Sequence, residues 1–139
     1  MPSLELREYE ANALLRALIE AKFHGTDVHD PDILTSPLIA RCAFELVAQA
    51  RREDEARDGE SAAGKWQSWL RCSPERDEWR TAVANACETW KSAWNRWHDN
   101  ERLQAVRLLF APFECASPGQ FIREVEEGLP RPRRRLTDG

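Results

Sequence analysis

The 139-residue sequence has no run approaching ~18 consecutive apolar residues, so no helix of it is built to cross a bilayer. No alternating apolar–polar stretch exceeds four residues, which removes the half-buried strand as a main building unit. The four cysteines, at 42, 72, 87 and 115, form no C-x-x-C pair, and this excludes both a zinc ribbon and a thioredoxin-type motif. The first ten residues, MPSLELREYE, lack the basic-then-apolar layout of a secretory leader, so reduced thiols and a cytoplasmic location are expected. There is no internal repeat, no G-x-S-x-G, no H-E-x-x-H and no glycine-rich phosphate loop. The reading left by these absences is a non-enzymatic protein without cofactor or metal.

The composition is globular, with 42% hydrophobic and 32% charged residues, and the length suits one domain. The net charge of −4 is unevenly spread. Arg131, Arg133, Arg134 and Arg135 crowd the C-terminal end, leaving 16 basic against 23 acidic residues in 1–130. The expected organisation is therefore one helical domain over 1–130 and a flexible basic tail over 131–139.

Helix punctuation is plain. Ser36-Pro37, Ser73-Pro74 and Ser117-Pro118 each precede a helical pattern, with serine to accept an orphan N–H and proline at the first helical position. Gln120 completes a capping-box pattern with Ser117. Five or six helices are predicted, at about 3–23, 37 to the charged run before Gly59, 62–71, 74–98, 99–111 and 118–127. The fold class is all-α, a single-domain bundle with the long Trp-rich helix 74–98 at its centre. The first helix is expected to bury Leu6, Tyr9, Ala13, Leu14, Ala17, Leu18 and Ala21, with Leu15 and Ile19 widening that face. Ile39, Cys42, Leu46, Val83, Val106 and Leu109 are the predicted core.

All six tryptophans fall between residues 66 and 97. Trp79, Trp90, Trp94 and Trp97 share one stripe of the predicted central helix, within an arc of about 80° together with Val83 and Ala86. Such a stripe serves either as core or as a binding surface, since tryptophan is enriched among interface anchors. Four indoles on one seam are hard to bury, so Trp94 or Trp97 is expected to stay partly exposed beside His98 and Arg102. The predicted partner-binding residues are accordingly Trp90, Trp94, Trp97, His98 and Arg102.

Other clusters carry weaker chemistry. His24 and His29, with Asp27, Asp30 and Asp32, match no metal-site spacing, and aspartates of this kind are ordinary turn formers. Cys72 lies just before a predicted helix start, where a thiol is either acidified by the helix or simply a small buried side chain, the commoner case. The leading functional reading is a small interaction or regulatory protein that binds a protein partner. Two alternatives stand beside it: a nucleic-acid-associated regulator using the four arginines of the tail, weakly because the body is acidic, and an enzyme or ligand-binding protein with a Trp-lined pocket.

Overall fold

A computed structural model describes residues 10–24 and 34–129. Among them are six α-helices and one two-residue strand pair, an all-α bundle as the periodicity predicts. Helix α1, Glu10–Ile19, continues into a π-helical turn, Glu20–His24. Then come α2 (Pro37–Asp58), α3 (Glu60–Leu70), α4 (Asp77–Thr89), α5 (Asp99–Phe110) and α6 (Pro118–Gly128). Strand β1 (Arg71–Cys72) lies parallel to β2 (Glu114–Cys115), with Arg71 opposite Glu114 and Cys72 opposite Cys115. This short bridge ties the end of α3 to the chain between α5 and α6.

The helix ends follow local chemistry. Ser36 Oγ accepts the Ile39 N–H at 3.2 Å, satisfying one donor at the start of α2. Gly59 separates α2 from α3 at φ 61°, a backbone setting that favours glycine. Glu101 Oε1 accepts the His98 N–H at 3.2 Å, which places His98 rather than Asp99 at the start of α5. Two of the Ser-Pro signals behave differently from expectation. Residues 73–76 form a turn and α4 opens only at Asp77. Ser117 does precede α6, but its side chain makes no capping hydrogen bond.

The core is centred on three mutually packed rings. Trp79 of α4 lies 5.7 Å from Phe110 of α5 and 5.4 Å from Phe121 of α6, centroid to centroid, and the two phenylalanines are 4.8 Å apart. All three are fully buried. Trp79 Nε1–H donates to the Glu124 carboxylate at 3.2 Å, so its one polar atom is satisfied from the edge of the core. Leu46, Val106 and Leu109 are buried as predicted, whereas Ile39, Cys42 and Val83 are only half-buried. Helix α2 turns Ala40, Ala43, Leu46, Val47 and Ala50 inward, slightly rotated from the predicted stripe.

Two larger corrections concern α1 and the central helix. Helix α1 buries Ala11, Leu15 and Ile19, while Ala13, Leu14, Ala17 and Ala21 are exposed. Its inward face is rotated by about 140° from the prediction at 100° per residue. The helix is apolar on two sides, and the side bearing the bulkier Leu15 and Ile19 gains more by burial than the side rich in alanine. Leu6 and Tyr9 lie outside the described residues.

The predicted helix 74–98 is not continuous. It ends at Thr89, whose Oγ1 hydrogen-bonds the Asn85 carbonyl at 2.7 Å, and a turn with a short 3-10 segment, Trp94–Arg96, follows. The bend brings Trp90 and Trp97 to a ring separation of 5.6 Å. On a straight helix these positions are seven residues, or about 10 Å, apart along the axis. Folding the chain back lets three indoles bury one another instead of lying along an open seam.

One buried charge ties the first helix to the fifth. Lys22 is enclosed, and its Nζ donates to the Ala111 carbonyl at 2.6 Å and to the Leu108 carbonyl at 3.1 Å. These are end-of-helix carbonyls that lack an intrahelical donor. Burial holds the Lys22 amine down to about 8, well below the ordinary lysine value.

Candidate functional site

The five residues expected to form the binding surface separate into three roles. Trp90 and Trp94 are buried, stacked at 5.7 Å with their planes 9° apart, and belong to the core. This corrects their expected place on a binding surface. His98 is exposed and opens α5. Arg102 is held by its neighbours: Nη2 donates to the Trp94 carbonyl at 2.9 Å, the guanidinium lies 4.7 Å from a Trp94 ring centroid, and Glu126 is 3.7 Å from Nη1. It secures the folded-back segment. Trp97 is half-buried, the only one of the three tryptophans that is not buried, as expected of one of the last two.

Trp97 stands at one end of a groove along α5. A cavity of about 630 Å³ beside it is lined by Thr35, Asn100, Glu101, Gln104, Ala105 and Leu108 as well as Trp97. A second, of about 420 Å³, shares Gln104 and Leu108 with the first and runs between α5 and the α2 residues Ala40, Arg41, Phe44 and Ala48. A third, of about 300 Å³, shares Phe44 and Arg107 with the second and continues past Leu103 and Val106 to Phe113, Cys115 and Pro118. The three share walls and pass around α5, from its Glu101–Ala105–Leu108 face to its Leu103–Arg107 face.

The groove has an apolar floor and a charged rim of both signs. Phe44 and Leu108 are half-buried in it, and Leu103 is 48% exposed. Arg107 reaches over the Phe44 ring, 5.8 Å from its centroid. Glu45, Glu101 and Glu114 stand near Arg41 and Arg107 on the rim. Leu103 shares the helical face of the buried Val106 and Phe110 but is itself exposed.

The remaining candidates are quickly placed. Cys72 is buried, and that burial pushes its thiol up to about 12; the half-buried Cys115 opposite it is pushed up to about 11 for the same reason. Both are protonated and poor nucleophiles at neutral pH, so the buried-thiol reading of Cys72 applies. Glu78, raised by burial but lowered more by its hydrogen bond and ion pair with Arg76, has a net downward shift and stays ionised. His24 is exposed, while His29, Asp27, Asp30 and Asp32 lie outside the described residues, as do Arg131, Arg133, Arg134 and Arg135. Among the described residues, no three histidine, cysteine or acidic side chains are grouped to hold a metal ion. No helix among them is long and apolar enough to cross a membrane. No family model matches the chain, and no curated protein and no solved structure matches it either.

Proposed function

We propose that this is a non-enzymatic interaction protein that receives an amphipathic helix of a protein partner in the α2–α5 groove. The observation that carries the reading is that three neighbouring cavities share walls around α5, from Trp97 past Phe44 to Phe113. A groove with an apolar floor is the usual receptor for the apolar stripe of a helix, and a mixed-charge rim suits a non-obligate contact. Trp97, Phe44 and Leu103 are the anchors in this reading, replacing Trp90 and Trp94.

A photo-crosslinking residue introduced at Gln104, on the groove, tests the reading against one at the exposed Glu88 on α4. A discrete partner captured from Gln104 but not from Glu88, lost in Leu103→Asp and crosslinked through a helical segment, is the expected result. Equal capture at both positions, or capture unaffected by Leu103→Asp in a folded protein, would refute it.

A further inference from the structure

A second cleft, of about 430 Å³, lies between α1 and α3, apart from the groove. Its walls come from two residue pairs spaced four apart, Asn12 with Arg16 on α1 and Lys65 with Trp69 on α3, with Trp66 beside them. That spacing puts each pair on one helix face, and the two faces meet across the cleft.

The rings are arranged as a corner. Trp66 and Trp69 are 5.3 Å apart with their planes at 89°. Both rings are fixed from behind. Trp66 Nε1–H donates to Asp54 Oδ2 at 2.7 Å, and Trp69 packs 5.0 Å from Phe113, which itself carries Arg76 on its ring at 4.8 Å. Trp69 is 37% exposed and is the most exposed of the six tryptophans. An indole held this way and still 37% exposed is already ordered for a ligand ring to pack on it.

Most polar groups of the cleft are donors without an acceptor, and the Asn12 amide offers both a donor and an acceptor. Among the described residues, Arg16 and Lys65 have no acidic partner, and neither the Asn12 side chain nor Trp69 Nε1–H has a hydrogen-bond partner. The chain as a whole is acidic, at −4, and several of its other arginines are engaged with carboxylates. Two unpaired cations beside an open tryptophan reverse the local charge. The volume lies toward the small end of ligand pockets, which run about 300–1,000 Å³. It suits one or two fused rings with a single anionic group.

We propose that the α1–α3 cleft binds a small planar aromatic anion, the ring stacked on Trp69 and the carboxylate or phosphate held by Arg16 and Lys65. A guanidinium and an ammonium on one anionic group make charge-assisted hydrogen bonds, and the ring supplies the apolar area that inorganic phosphate lacks. This site is independent of the α2–α5 groove and of the partner proposed for it.

The test follows the Trp69 indole N–H resonance by NMR, assigned with Trp69→Phe. The probes are 2-naphthoate, 2-naphthyl phosphate, neutral 2-naphthylmethanol and inorganic phosphate. Saturable shifts with 2-naphthoate or 2-naphthyl phosphate support the proposal, and the stronger of the two identifies the anionic group. The neutral alcohol and inorganic phosphate should each bind on the order of tenfold more weakly, since each lacks one half of the recognition. Arg16→Ala and Lys65→Ala should each weaken the anionic probes about tenfold and reduce their salt dependence, leaving the alcohol unchanged. Both side chains are exposed, so these variants keep the fold. Leu103→Asp should leave all four affinities unchanged, which separates this site from the groove. The proposal is overturned if neither anionic probe shifts the Trp69 resonance, if the alcohol binds as tightly as 2-naphthoate, or if inorganic phosphate binds as tightly as 2-naphthyl phosphate.

Discussion

Raising the pH should reveal what the buried Lys22 charge costs. Its amine has a value of about 8 in the folded chain against an ordinary 10.5. Below about pH 8 both folded and unfolded chains carry the proton, and the folded state bears the full penalty of burying the charge. Between about 8 and 10.5 the folded chain releases the proton first, so stability rises with pH. At 1.36 kcal/mol per unit the gain is about 3 kcal/mol. The neutral amine keeps two N–H groups, enough for both the Leu108 and the Ala111 carbonyls, so the clamp survives deprotonation. Cys72 and Cys115 act in the opposite direction. Their folded values of about 12 and 11 exceed the ordinary 9, so the unfolded chain ionises first and stability falls above pH 9. The wild-type curve therefore superimposes a rise and a fall, and a Lys22→Met control separates them. Urea unfolding of both proteins at pH 7, 8, 9, 10 and 10.5 gives the difference directly. The wild type should gain about 3 kcal/mol on the variant across that range, whatever the fixed offset at pH 7 from two unpaired carbonyls. A difference that stays flat would mean that Lys22 is solvated and that the clamp is wrongly drawn.

Three further outcomes follow from the packing. A Cβ on Gly128 would lie 2.7 Å from Cys87 Sγ, so Gly128→Ala should destabilise by about 1–3 kcal/mol, and adding Cys87→Ala should recover most of the loss in the same denaturation assay. Trp79→Ala removes the ring between Phe110 and Phe121 and should cost about 3–5 kcal/mol; a loss below 1 kcal/mol would place the core elsewhere. Cys72 should react with a thiol-specific reagent at neutral pH only as fast as the chain unfolds, so fast modification of native protein at this position would contradict its burial.

Elements with a local cause were legible in the sequence, and those decided by distant neighbours were not. The start of α2 at Ser36-Pro37 and the break at Gly59 depend on groups within a few residues. The face of α1 depends on what packs against it, and two apolar sides give periodicity no basis for choosing. Helix α4 was drawn too long because a tryptophan every three or four residues reads as a stripe. The same spacing also lets Trp90, Trp94 and Trp97 collapse into a cluster once the chain bends at Thr89. The candidate site was the least legible part. Trp97 stands out in the sequence, but Phe44 and Leu103 become groove residues only because α2 and α5 lie side by side, and nothing local distinguishes Trp69. Its neighbours Asn12 and Arg16 are more than fifty positions away along the chain.

The Lys22 clamp also has a consequence in the order of synthesis. The amine reaches carbonyls 86 and 89 positions further on, and the Trp79 core waits for Phe121. Helices α1 to α3 pack mainly on one another, but α4 leaves the ribosome with its main partner α6 still unmade, holding the Lys22 amine without its carbonyls and Trp79 without its ring partners. Contacts between distant positions form slowly, and unburied aromatic surface invites association in the meantime. Nascent chains stalled before α6 has emerged should remain open to protease, and those stalled after it should become resistant. A chain of this design packs its first three helices early but closes the interior around Trp79 only near the end of translation.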